Sequence, residues 1–285
     1  MGMIRDRMVE DLRLAGLSES TRVHYVRYAV QFVKHFMRSP NDLGEAEVRR
    51  YLLHLMEQRK LAVGTLLVVI GALKFLFGVT LKRPEVMAGI RFPRKPPARP
   101  GVLTQAEVRA ILRAAPTPYW RTFFLVAYAT GLRRMEVANL RTRDIDATSG
   151  LIRVACGKGG KAREVMLDPI LLAELRAHWR AYRLTGQLLF PARTRHGWAD
   201  HLINLQSATG AFRTARKAAG IARPISLHGL RHAFATHLLE QGVDLATLRQ
   251  LLGHDHIETT AHYTEVRTDR IRATRSPLAS LATAP

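Results

Sequence analysis

One stretch, Arg91 to Gly101, constrains the fold of this chain more than any other: it reads Arg-Phe-Pro-Arg-Lys-Pro-Pro-Ala-Arg-Pro-Gly. Proline has no backbone N–H to give to a ladder and its ring fixes φ, so a span with four prolines can be neither a helix nor a central strand. It reads as an extended basic linker. The 285 residues therefore divide into a first domain over residues 1–91, a linker over 92–101 and a second domain over 102–285. Both pieces fall within the usual domain size of roughly 50–250 residues.

The first domain reads as all helix. Ser18 to Thr21 opens a segment in which Val23, Val26, Val30, Val33 and Phe36 recur at helical spacing, and Ser39-Pro40 closes it. Asn41 and Asp42 precede a further helix through Val48, Leu52 and Leu55, and an apolar helix follows from Val63 to Phe77. The run Val63 to Leu81 is the one stretch that could pass for a membrane span. Lys74 within it is costly in lipid, so it is read as the core helix of a soluble bundle. Met1 to Asp11 mixes charges of both signs without an apolar core, unlike a secretory signal. Cys156 is the only cysteine, which rules out an intramolecular disulfide and a zinc site built mainly from Cys. A reducing cytoplasm is the expected location.

Charge points to the partner. The chain carries 44 Lys+Arg against 23 Asp+Glu, a formal +21, and most of the cations are Arg, whose planar fork meets phosphate bidentately. These residues are spread through folded segments and do not flank an amphipathic anchor, so nucleic acid is expected and a membrane surface is not.

The second domain opens on Thr104-Gln105-Ala106-Glu107, a capping-box pattern, and continues with an apolar helix, Tyr119 to Thr130, stopped by Gly131. A short helix around Glu136 to Leu140 comes next. Leu151–Ala155 and Arg163–Leu167 then flank Gly157-Lys158-Gly159-Gly160, a β-hairpin with a glycine-rich tip. From Leu171 onward the chain reads as mostly helical to its end.

Four pieces of this domain can carry chemistry. In Thr130-Gly131-Leu132-Arg133-Arg134-Met135-Glu136 a glycine ends one helix and an arginine starts the next, where an anion could be held; taken alone, the piece reads more simply as a corner with surface arginines. Lys158 on the open tip is a solvated turn residue or a proton donor reaching into a neighbouring site. A phosphate-loop reading fails, because no Ser or Thr follows Lys161. His228 and Arg231 are three apart at a helix start, so both leave one side of it. They suit phosphoryl chemistry, or else are a capping His and a surface Arg. His228 and His232 have the spacing of a zinc helix, but Gly229 stands where a metalloprotease has Glu, so no metal is expected. Finally, Leu251-Leu252-Gly253-His254 sets a histidine at a helix corner, and Tyr263 follows nine residues later.

Taken together, Thr-Gly-Leu-Arg133 with Glu136, Gly-Lys158-Gly, His228-x-x-Arg231, Leu-Leu-Gly-His254 and Tyr263 resemble, in order and spacing, the tyrosine recombinase (integrase) family, and its Xer-like and phage-integrase-like members most. The resemblance covers nearly the whole chain. It implies a mainly α fold with a small β-hairpin: a helical, SAM-like core-binding domain followed by a mixed α+β catalytic domain. It further implies Arg133, Lys158, His228, Arg231 and His254 as the catalytic set around the nucleophile Tyr263, with Glu136 orienting Arg133. Arg94, Lys95, Arg99, Arg134 and Lys161 are expected to touch DNA, and Lys161 competes with Lys158 for the role of general acid. No cofactor is expected. Exchange of one phosphodiester for another is near neutral in energy, and a tyrosine oxygen stores the bond.

The family pattern also implies double-stranded DNA sites as partners, a homotetramer on them or a heteromer with a second recombinase, and a C-terminal segment, Arg267 to Leu281, that docks on a neighbouring subunit. The service of a mobile element and association with the bacterial nucleoid are part of the same expectation. Two rivals remain: a type IB topoisomerase-like enzyme, which relaxes DNA without exchanging partners, and an inactive DNA-binding protein, which would have lost a catalytic residue.

Overall fold

The computed structural model describes residues 2–91, 101–155, 162–182, 184, 186–195 and 197–253. The chain forms two compact units, Met1–Arg99 and Pro100–Pro285.

The first unit is a helical bundle of α1 (Gly2–Leu14), α2 (Glu19–Phe36), α3 (Glu45–Glu57) and α4 (Val63–Phe75), the last running into a π turn at Leu76–Thr80. Local chemistry sets the ends of α2: Ser18 Oγ accepts the Thr21 amide at 3.2 Å, and Met37 closes the helix in the left-handed region at φ 52°. The buried stripe of α2 differs from the valine spacing. Ala29, Phe32 and Val33 are buried, while Val23 is 60% exposed. Phe32 sets the rotation, because its ring packs edge-on against Phe36, Tyr51 and Phe77 at centroid distances of 5.5, 5.3 and 5.9 Å. The apolar α4 lies inside this bundle: Leu66, Val69, Ile70, Ala72 and Leu73 are buried in it. By length and composition alone Val63–Thr80 would pass as a membrane span, and its buried residues serve as a core helix.

The second unit begins with α5 (Gln105–Arg113), on which the capping box forms as the sequence suggests. Thr104 Oγ1 accepts the Glu107 amide at 3.2 Å, and Glu107 Oε2 accepts the Thr104 amide at 2.9 Å. Next come α6 (Pro118–Thr130), α7 (Arg134–Asn139) and a three-stranded antiparallel sheet of β1 (Ile145–Asp146), β2 (Leu151–Val154) and β3 (Arg163–Met166). The rest is α8 (Pro169–Tyr182), β4 (Pro191–Thr194), β5 (Gly197–Leu202), α9 (Leu205–Ala218), α10 (His228–Glu240) and α11 (Leu245–Leu252). Phe123, Phe124, Phe190 and Phe212 fill the core between α6, α9 and the segment before β4.

Two strand features depart from the sequence reading. A short β1 joins the predicted hairpin, and β4–β5 lies within the stretch that reads as mostly helical. Few side chains on β4 and β5 are buried, so no alternation of apolar and polar residues marks them. What holds this hairpin is Trp198, stacked on Tyr119 at 5.2 Å with an interplanar angle of 10°.

The crossing of α6 and α10 places the site. Gly131 ends α6 at φ 64°, and a Cβ there would lie 2.4 Å from Cδ1 of Phe234 on α10. Gly131→Ala would meet both the left-handed penalty and this clash, and should lower the unfolding free energy by about 2–4 kcal/mol. Urea titration of the variant against the parent protein checks this; a loss below about 1 kcal/mol would mean that the two helices separate easily.

Candidate active site

Arg133 occupies the cap position of α7. Its backbone N–H donates to Glu136 Oε2 at 2.7 Å and its Nη1 to Glu136 Oε1 at 3.0 Å, so one carboxylate fixes both the start of the helix and the guanidinium. Nη2 of Arg133 donates to the Gly253 carbonyl at 3.2 Å, and 43% of the side chain stays exposed.

Two further arginines converge on the same carboxylate. Arg163, the first residue of β3, donates from Nη1 and Nη2 to Glu136 Oε1 and Oε2 at 3.0 and 2.7 Å, and from Nε to the Leu251 carbonyl at 2.8 Å. Arg231 of α10 is 1% exposed; it donates to the carbonyls of Gly131 at 2.8 Å and Leu252 at 2.6 Å, and its Nη1 lies 3.9 Å from Glu136 Oε2. Three successive carbonyls at the end of α11, those of Leu251, Leu252 and Gly253, thus each receive one arginine. The C-terminal end of a helix carries unpaired carbonyls and about half a negative charge, which suits it to cations.

Burial works against the charge on Glu136. The hydrogen bonds from Arg163 and the Arg133 amide, with the charges of both guanidiniums, outweigh it and hold the carboxyl at about 2. His228 opens α10 beside this cluster, its ring 4.7 Å from that of His232. The residue as a whole is exposed, yet protein covers part of its side chain. That covering first, and then the charges of His232, Arg231 and Arg133, push its pKa down to about 4. At neutral pH the ring is uncharged and has a lone pair to accept a proton.

The structure therefore brings together Arg133, Glu136, His228 and Arg231, which the sequence motifs single out. Arg134 lies apart from them and turns toward α9, donating to Thr209 Oγ1 and to the Leu205 carbonyl. Lys158, Lys161, His254, Tyr263, Arg94, Lys95 and Arg99 lie outside the described residues. Among the described residues no group of three or more His, Cys, Asp or Glu side chains is placed to hold a metal ion.

Residues 101–270 match the phage integrase family, and residues 4–85 match the phage integrase N-terminal SAM-like domain. The chain belongs to the phage integrase family. Among its relatives in this family, a Sinorhizobium fredii protein named as an integrase/recombinase is 38% identical over 278 residues, 97% of this chain and 89% of that one. Tyrosine recombinase XerA of Thermococcus kodakarensis is 31% identical over 256 residues, 89% of each. The fold is shared with lambda integrase at 20% identity. Its residues 75–356, crystallised as a dimer bound to a COC' core site, give a TM-score of 0.75 over 94% of this chain and 96% of that one; a tetramer bound to a Holliday junction gives 0.73 over 93% and 77%. The SAM-like helical domain and the mainly α second domain with its small sheets are the architecture that the motifs imply.

In this integrase-family site the residue absent from the sequence reading is Arg163. Strand alternation carried its signal: Arg163 shares a face of β3 with Val165 and stands opposite Val154, both buried. An arginine on the inward face of a strand needs a carboxylate, and Glu136 is that partner.

Because Glu136 sits at about 2 when folded against its usual 4.5, its contribution to stability is complete above pH 4.5 and is lost as the pH falls toward 2. Glu136→Gln should cost about 3 kcal/mol near pH 7 by leaving Arg163 buried without its counter-charge. The gap between variant and parent should narrow from pH 4.5 downward, as read by thermal unfolding across pH. A gap that is constant with pH would show that the carboxylate charge is not what binds the cluster.

Proposed function

We propose that this chain is a site-specific DNA recombinase that cuts and rejoins strands through a 3′-phosphotyrosyl bond on Tyr263. The observation that carries the reading is the charge balance of the site: three guanidiniums gather on one carboxylate, which leaves two positive charges in excess beside an uncharged histidine. A surplus of fixed cations suits a phosphodiester, whose non-bridging oxygens gain negative charge in the transition state.

In this reading Arg133 and Arg231 hold those oxygens, and His254 donates to them. The phenol of Tyr263, with an ordinary pKa of ~10, gives its proton to His228 as its oxygen bonds to phosphorus. The P–O5′ bond breaks, and Lys158 protonates the leaving oxygen, giving a 5′ hydroxyl. That hydroxyl of one duplex then attacks the phosphotyrosine of the other, and the tyrosine proton returns. Lambda integrase, crystallised as a dimer on a core site and as a tetramer on a Holliday junction, supports a tetramer exchanging strands through a four-way junction. The first unit would act as the core-binding domain and residues 92–101 as a basic linker following the DNA, with Arg94, Lys95 and Arg99 on phosphates. A reducing cytoplasm is the compartment that fits.

Two experiments test the assignment. Tyr263→Phe should bind DNA as the parent protein does and form no covalent adduct on a nicked suicide substrate resolved by denaturing electrophoresis; an adduct surviving in the variant moves the nucleophile elsewhere. With His228 at about 4 as proton acceptor, kcat/KM for cleavage should stay flat from pH 8 to about 5 and fall only below that, since this parameter follows the free enzyme. A fall centred near 6.5, the value of an ordinary histidine, would show that the site does not lower the pKa of its proton acceptor; a His228→Gln variant that keeps the parent's profile would argue against His228 as the acceptor.

A further inference from the structure

Arg163 differs from Arg133 in what it can reach. Its Nε and both Nη groups are used inside the protein, on the Leu251 carbonyl and the two oxygens of Glu136. Its side chain is 9% exposed, against 43% for Arg133. It is therefore turned away from a DNA backbone, yet it is the partner that holds Glu136 most completely. Glycine at position 253 leaves it room: a Cβ there would lie 3.0 Å from both Cδ and Nη1 of Arg163.

We infer that Arg163 is a positioning residue for strand cleavage, which occupies the Glu136 carboxylate so that Arg133 stays directed at the scissile phosphate. The physical reason is competition. Glu136 already reaches Arg133 at 3.0 Å and Arg231 at 3.9 Å. Without Arg163 its full charge falls on those two, draws the exposed Arg133 inward and halves the surplus of positive charge. Arg163 also ties the start of β3 to the end of α11 through Leu251. Lys158 precedes it by five residues in the sequence. This role rests on the assignment of Arg133, Arg231 and Tyr263 above.

The test compares full-length wild type, R163M and the double variant E136Q/R163M on a suicide substrate, with single-turnover cleavage and DNA affinity measured separately. R163M should cleave about 100-fold more slowly, comparable to the loss of one positioned donor, with affinity unchanged within about twofold because Arg163 contacts no phosphate. E136Q/R163M removes the competing charge together with its partner, and should recover about tenfold or more of the lost rate. R163K stands in where R163M does not fold. It keeps the charge but gives up the fork, and should cleave about tenfold more slowly than wild type at equal affinity. A wild-type rate in R163M or R163K, an equal loss of affinity, or a double variant no faster than R163M would each overturn the inference. If wild type itself forms no adduct on Tyr263, the underlying assignment fails as well; if it does and R163M matches it, only the role of Arg163 falls.

Discussion

Three guanidiniums share one helix end and one carboxylate, and the rest of the second unit is arranged around that fact. Moving a charged group out of water carries an effective penalty of several kcal/mol even after the protein relaxes. Arg231 at 1% exposure and Arg163 with 9% of its side chain open both meet it. The offset is built from backbone. The carbonyls of Gly131 and of Leu251, Leu252 and Gly253 are lone acceptors at the ends of α6 and α11, and each receives an arginine N–H. A helix of eight residues such as α11 has little stability of its own and depends on tertiary contacts. Asp244 caps its start, accepting the amides of Ala246 and Thr247, and the arginines hold its end. The helix and the cation cluster are thus each a condition of the other.

Ion pairs elsewhere in the same unit show what is unusual here. Arg121 pairs with Glu174, and Arg223 with Glu107, one cation to one anion in each case. Such pairs are neutral and tie one helix to another segment. Around Glu136 the ratio is three to one. An excess of like charge is a source of mutual repulsion. His228 records the same field, since the neighbouring cations that help to keep its ring unprotonated are those the site would offer to a phosphate.

Which parts of this were legible in the sequence follows from where the signals reside. Helix ends set by side chains could be read: Ser18 and Thr104 cap the helices they announce. Arg133, Glu136, His228 and Arg231 could be read as well, because i,i+3 spacing at helix starts and the order of the motifs both point to them. Features set by tertiary packing were less accessible. The rotation of α2 is decided by Phe32 meeting Tyr51 and Phe77, which the spacing of valines does not contain. The β4–β5 hairpin is held by Trp198 on Tyr119, across some eighty positions of chain, and not by a buried strand face. The carbonyls of Leu251, Leu252 and Gly253 have no sequence signature, because every residue carries one; only the fold selects those three.

The selection also explains why a glycine must end α11. Gly253 adopts φ 61°, which turns the chain so that its own carbonyl meets Arg133 while the two before it meet Arg231 and Arg163. A side chain at this position would be strained in the left-handed region and would press on Arg163. Gly131 plays the matching part at the other side of the site: its carbonyl holds Arg231, and its missing Cβ admits Phe234. Two glycines on separate helices thus bring α6, α10 and α11 close enough for backbone carbonyls to orient the cations. Any larger residue at either position would loosen the cluster before it touched the chemistry.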